Sequence, residues 1–175
     1  MLVAPCMTKT IAAALAALAL ASPAMATILG LAGAELKTAD GRRVGGASIH
    51  VSGNQVRIAV NGLRPGRYGV HLHEVGRCQG PDFESAGPHW NPTTRQHGRL
   101  NPAGHHRGDL PNLEVGSDGT GRLVFTIEGP SIWDGPGRFL DADGTAVVVH
   151  AAPDDERTDP SGNSGDRIAC GVLNY

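Results

Sequence analysis

The sequence predicts an all-β domain, with short antiparallel strands forming a sandwich or flattened barrel that carries two long loops. Three observations lead there. Glycine (25) and proline (12) are abundant while aromatic residues make up 4% of the chain, a balance that suits short strands and ordered loops better than a helical bundle. Apolar residues alternate with polar ones in several short runs. Two stretches, 75–121 and 153–165, lack that alternation and are rich in turn-forming residues. The 175 residues suffice for one domain of ordinary size, and 40% apolar with 18% charged residues is the composition of a folded protein. A formal net charge of -2 gives no reason to expect a nucleic-acid partner.

The first residues read as an export signal. Lys9 supplies the positive start, Ile11 to Ala21 is an apolar run too short to span a bilayer, and Ala24-Met25-Ala26 has the small-x-small form that signal peptidase cuts. Residues 1–26 are therefore expected to be a signal peptide and 27–175 the mature domain, with translation starting at Met1 or Met7. Ala4-Pro5 before Cys6 does not form a lipoprotein site, so no membrane anchor is expected after cleavage. Loss of Lys9 leaves 14 basic residues of the original 15 against 17 acidic ones, a net charge of -3. The expected destination is the periplasm or the medium. Of the three cysteines, Cys78 and Cys170 survive cleavage, and two cysteines in an oxidising compartment suggest one disulfide.

Along the mature chain, Ala47 to Val51 and Gln55 to Val60 alternate, and Ser52-Gly53-Asn54 between them is a turn signal, so a hairpin is expected. Arg64-Pro65-Gly66 marks another turn. Tyr68 to Val75 and Gly121 to Ile127 alternate again. Ala146 to Val149 is continuously apolar, as in a central strand, and Ile168 to Leu173 could close the sheet.

Six of the eight histidines fall between residues 71 and 106, five of them in or beside the first aperiodic stretch. His71 and His73 lie two apart on an expected strand and so point to one face. His89, His97, His105, His106 and Asp109 follow in the loop, and His150 ends the apolar strand. Imidazole suits copper and zinc, and a carboxylate is acceptable to zinc. Metal bonds would order a loop that has little secondary structure of its own.

The segments Gly69-Val70-His71-Leu72-His73, Gly87-Pro88-His89-Trp90-Asn91-Pro92, His97, His106-Arg107-Gly108-Asp109, Val149-His150 and Arg167-Ile168-Ala169-Cys170-Gly171-Val172 resemble the copper/zinc superoxide dismutases in order and spacing, from about Ile28 to Leu173. The resemblance implies an antiparallel Greek-key sandwich or flattened barrel of about eight strands, the architecture established for that family. It implies copper on His71, His73, His89 and His150, and zinc on His89, His97, His106 and Asp109, with His89 shared. It pairs Cys78 with Cys170, makes Asp154 a carboxylate that fixes one ring from each metal group, and makes Arg167 the cation that docks superoxide. His89 and Arg167 are then the catalytic residues. His105 and His50 are left as surface histidines. The implied activity is conversion of superoxide to oxygen and hydrogen peroxide, one-electron chemistry that copper can carry and zinc cannot. A homodimer is also possible within the family.

Some features sit less comfortably with the resemblance. The 154–167 loop is shorter than in many eukaryotic relatives and crowded with Asp155, Glu156, Asp159 and Asp166. Asp166 precedes Arg167, where relatives carry a small residue, and is expected to weaken the attraction of the anion. Tyr68 stands where a histidine is frequent. The competing reading is a copper- or zinc-binding protein without activity on the same fold. A zinc hydrolase of the His-x-His kind would need more acid and histidine just after His73, where Val75-Gly76 stand, and a blue-copper carrier would need a cysteine ligand and a nearby methionine.

Overall fold

The computed structural model describes residues 31–50, 53–135 and 138–174. The expected signal segment, and Val51 and Ser52 of the expected hairpin, lie outside the described residues. Among the described residues nine strands form: β1 (Leu31–Lys37), β2 (Arg43–His50), β3 (Gln55–Val60), β4 (Gly66–Tyr68), β5 (Val70–His73), β6 (Leu113–Val115), β7 (Gly121–Thr126), β8 (Thr145–His150) and β9 (Arg167–Leu173). Among the described residues the only helical piece is a single 3-10 turn, Glu84–Ala86.

All pairings are antiparallel, in the order β4-β6-β7-β3-β2-β1-β9-β8-β5. The two edge strands of that order, β4 and β5, are separated in the chain by Gly69 alone. Chain continuity therefore draws the edges together and curls the sheet into a nearly closed barrel. The alternation of Tyr68 to Val75 runs through this switch, so the expected single strand is two. β1 and β6 were not expected from the sequence. Three residues of β6, between Pro111 and Gly116, are too few for a period to register.

Alternation builds the core. In β3, Val56, Ile58 and Val60 are buried while Arg57 and Ala59 face outward. β8 is buried on both faces. Val147 and Val149 join the barrel interior, whereas Ala146 and Val148 join a smaller cluster with Phe83, Ala86 and Cys170 on the outside. A loop tethered by the Cys78–Cys170 disulfide, Cα atoms 5.6 Å apart, covers that outer face. This second cover is why β8 reads as a continuous apolar run.

The same two-faced logic places the histidines. In β5, Val70 and Leu72 face the barrel interior, and His71 and His73 pair with Val148 and Ala146 on the outer face. His150 continues the outer face of β8. A register shift between Val149 and His150 sets His150 opposite Arg167 of β9. Bulges of this kind commonly re-aim a side chain at the rim of a barrel.

Candidate metal centre

The free edge of β5 is covered by the long loop. The Leu72 amide donates to Gly108 O (2.9 Å), the Trp90 amide to Leu72 O (2.7 Å), and the Gly108 amide to Trp90 O (2.9 Å). Backbone pairing thus brings His89 beside His73 and Asp109 beside His71.

Two donor groups result, each with its atoms within 4.8 Å of one another: His71, His73, His89 and His150, and a second containing His89, His97 and Asp109. His71 also lies within that distance of the second group. Geometry favours His106 as the fourth member there. The Nδ1 atoms of His89, His97 and His106 lie 2.9, 3.0 and 3.1 Å from one oxygen, Asp109 Oδ1, and those of His89 and His106 lie 3.4 Å apart. Four donors around a tetrahedral zinc at about 2.0–2.1 Å would be separated by about 3.3 Å. The chain already holds them at that spacing. The first group passes a different test. His71 Nδ1, His73 Nε2 and His150 Nε2 are buried and have no hydrogen-bond partner within the protein. Buried polar atoms are ordinarily satisfied, and three unsatisfied imidazole nitrogens turned toward a common point are what a copper ion would use.

The second nitrogens of His71, His73, His150 and His97 are occupied. His73 Nδ1 pairs with Gly87 O (2.8 Å) and His150 Nδ1 with Gly165 O (3.1 Å). His71 Nε2 and His97 Nε2 pair with the two oxygens of Asp154, at 2.8 and 3.0 Å. One carboxylate therefore ties a ring of the first group to a ring of the second. Asp154 is itself gripped by Asn112, whose Oδ1 accepts from the Asp154 amide (2.8 Å) and whose Nδ2 donates to Asp154 O (2.9 Å). Gly162 lies against the same carboxylate. Its φ is +64°, and a Cβ there would fall 1.8 Å from Asp154 Oδ1 and 2.7 Å from His97 Nε2. Sequence reasoning missed Asn112 and Gly162, because an asparagine after a proline and a glycine in a loop both read as turn residues.

Electrostatics divide the groups. Burial pushes His71 down to about 3 and His150 to about 4, and holds His73 and His89 below the ordinary imidazole value, so these rings are neutral. Burial acts against His97 too, but Asp109 and Asp154 overcome it and raise that ring to about 9. Burial alone would raise Asp109 and Asp154. Hydrogen bonds from His106, His89 and His97 to Asp109, and from His71 and His97 to Asp154, hold both well below the usual carboxylate range.

His89, His106, His150 and Arg167 line one cavity of about 710 Å³, with Glu74, Glu84, Asp159 and Arg95 at its walls. The Arg167 guanidinium donates from Nη1 to Phe83 O (2.9 Å) and from Nη2 to Gly87 O (3.0 Å). Burial lowers its pKa, and Glu84 and Asp82 act in the opposite sense. Asp166 lines a neighbouring cavity together with Arg167, Glu84, Asp82, Asp40 and Arg42. Glu84, in the 3-10 turn, and Asp82 just before it are brought close to Arg167 from a distant part of the chain. Tyr68 donates its hydroxyl to Arg64 O (2.7 Å). His105 belongs to neither donor group, its Nδ1 lying 2.7 Å from His106 O.

A family model for copper/zinc superoxide dismutase matches residues 44–173. The chain is 46% identical over 144 residues to the superoxide dismutase-like protein YojM of Bacillus subtilis, covering 79% of this chain and 74% of that one. It is 41% identical over 145 residues to a Cu-Zn superoxide dismutase of Caulobacter vibrioides, covering 80% and 83%. Among solved structures, a double mutant of a superoxide dismutase-like protein from Bacillus subtilis superposes with a TM-score of 0.76 at 47% identity, covering 82% of this chain and 97% of that one. In that mutant a tyrosine and a proline have each been replaced by histidine.

Proposed function

This chain belongs to the copper/zinc superoxide dismutase family, and from that premise we propose that it is an active dismutase, converting two superoxide anions and two protons to oxygen and hydrogen peroxide. Copper and zinc are the metals of the family. His71, His73, His89 and His150 would hold copper, and His89, His97, His106 and Asp109 would hold zinc. When bound, copper supplies the one-electron chemistry and zinc a fixed charge.

The single observation that carries the proposal is the position of His89. Its Nδ1 sits 2.9 Å from Asp109 Oδ1 in one donor group while the ring is also a member of the other. The ring edge that serves the first group can hold a proton and pass it to a reduced oxygen species in the cavity, while Nδ1 keeps the ring in place. Arg167 lines the same cavity and stays cationic at neutral pH. Tied by both Nη atoms to backbone carbonyls, it presents a fixed positive charge to a small anion. Local steering of this sort is established for the enzyme class, and it is needed here because the chain as a whole is net negative. Asp154 holds His71 and His97 in one orientation, so neither ring must reorganise.

A binding protein without activity is the second reading, and the identity to a superoxide dismutase-like relative favours it. The complete donor set and Arg167 favour the enzyme. The test is metal analysis of the purified protein alongside superoxide consumption. One copper and one zinc per chain, with activity lost on copper removal and regained on its return, is the expected result. Full metal loading without superoxide consumption would leave the binding protein standing.

Export to the periplasm or medium is part of the same proposal. The Cys78–Cys170 disulfide supports it, since such bonds persist in oxidising compartments. Cell fractionation with N-terminal sequencing should find a chain beginning at Thr27 outside the cytoplasm.

A further inference from the structure

Arg107 stands between two proposed zinc donors, His106 and Asp109, yet belongs to neither donor group. Its guanidinium carbon lies 5.2 Å from the centre of the Trp90 ring, over its face. Its Nη2 donates to two carbonyls at once, Glu128 O at 2.8 Å and Pro130 O at 2.7 Å. Gly129, between those two carbonyls, has φ +94°, a conformation side chains rarely adopt, and a Cβ there would meet Arg107 at ordinary contact distance, 3.5–3.8 Å from Nη2, Cζ and Nε. The guanidinium is thus enclosed between an indole and a turn.

Three segments meet at this point. Trp90 follows His89, and its amide and carbonyl are bonded to Leu72 and Gly108. The Trp90 ring packs edge-on against Phe139 at 5.3 Å, and Phe139 against Trp133 at 6.2 Å. Phe139 and Ile132 are buried and joined by a backbone bond of 2.7 Å, and Ile127 is buried too, so the 127–132 segment that carries the turn is anchored in the core. Arg107 and Gly108 separate His106 from Asp109, and the Gly108 backbone is paired with Leu72 and Trp90 on one side while the Arg107 side chain reaches the 128–130 turn on the other.

We infer that Arg107 is a positioning residue for the zinc group: its stack on Trp90 and its two bonds to the 128–130 turn set the spacing of His106 and Asp109 relative to His89. The physical reason is that an arginine can stack on an aromatic face and fork to acceptors at the same time, which lysine cannot. Partners one layer outside a metal typically account for 10- to 100-fold in metal affinity. The inference rests on the reading of His89, His97, His106 and Asp109 as the zinc donors.

The test uses the full chain with cobalt(II) placed in the zinc group, whose d–d absorption reports tetrahedral geometry. Zinc release to a chelator and unfolding midpoints with and without metal are measured alongside. Arg107→Met is expected to weaken zinc binding about tenfold, to change the cobalt spectrum, and to lower the metal-loaded midpoint more than the metal-free one. Arg107→Lys should resemble Arg107→Met more than the parent. Trp90→Phe keeps the contact with Phe139 and weakens the stack, so it should shift zinc release in the same direction by about threefold, and it provides the test if Arg107→Met does not fold. Equal losses of stability with and without metal, with unchanged cobalt spectra and zinc release, would make Arg107 a packing residue and overturn the inference. A parent chain that takes up no tetrahedral cobalt would overturn the zinc reading itself.

Discussion

Asp154 is the residue on which both donor groups lean. His71 Nε2 and His97 Nε2 each need an acceptor, and the carboxylate provides one oxygen to each. Asparagine has one acceptor and one donor, so Asp154→Asn must lose a contact. We expect it to lower copper or zinc affinity by about 10- to 100-fold, measured by competition with a chelator. Glu84 is the second residue to change. It lies on the wall of the cavity and acts on Arg167, so Glu84→Gln should raise the second-order rate about twofold at low ionic strength, fading as salt screens the charge. Asp166→Ala removes a carboxylate from a cavity that Arg167 also lines, and should likewise raise that rate, most of all at low salt. Asp155 staples the second loop, accepting from the amides of Arg157 and Thr158, the Thr158 hydroxyl and the Asn163 amide. The Thr158 hydroxyl foremost, and then those amides, lower Asp155 to about 2. A lowered carboxylate contributes order above its unfolded pKa of about 4 and loses it as pH falls through the folded value. Hydrogen exchange in residues 155–163 should therefore accelerate between about pH 4 and pH 2, and Asp155→Asn should show the faster exchange already at neutral pH. The candidate donors were legible through the family resemblance, whose motifs lie in short segments of the chain. Asn112, Glu84 and Gly162 were not, since each acts across the fold on a residue distant in the chain.

At the scale of elements, β5 and β8 divide two tasks between their faces. Val70, Leu72, Val147 and Val149 fill the barrel, and His71, His73 and His150 stand on the other side. Leu72 lies between two donors and is fully buried. Leu72→Ala should cost about 3 kcal/mol in denaturant unfolding, the usual range for a leucine lost from a core, while its backbone bonds to Gly108 and Trp90 keep the donors in register. Metal content at low temperature should stay at the parent value. A loss of metal equal to that of the Asp154 variant would mean that the interior face and the outer face are not independent. The expected strands at Gln55 to Val60 and Gly121 to Ile127 match β3 and β7 closely, since one face of β3 is buried and one face of β7 partly so, while the other faces are exposed. The Tyr68 to Val75 run was misread as one strand because side-chain alternation does not reveal which neighbour a strand pairs with.

For the whole molecule, the disulfide joins the donors, the cover and the closure of the sheet. It links β9 to the loop whose Phe83 and Gly87 carbonyls hold Arg167. It closes a segment with a sequence separation of 92 residues, and loss of so long a constraint costs about 4 kcal/mol. Cys78→Ser should lower the unfolding midpoint by about 10 °C. It should also reduce the second-order rate at full metal loading, because Arg167 loses its tethered acceptors. What the sequence by itself determined was the family and its class of scaffold. The donors, the arginine, the two cysteines and the alternating runs are all local patterns, and local patterns survive in one dimension. Tertiary structure alone decided three further matters: that the sheet closes through Gly69, that β8 is covered on both faces, and that Glu84 and Asp82 come close to Arg167. Each depends on the distance between segments far apart in the chain, and that distance exists only once backbone hydrogen bonds and burial have drawn them together.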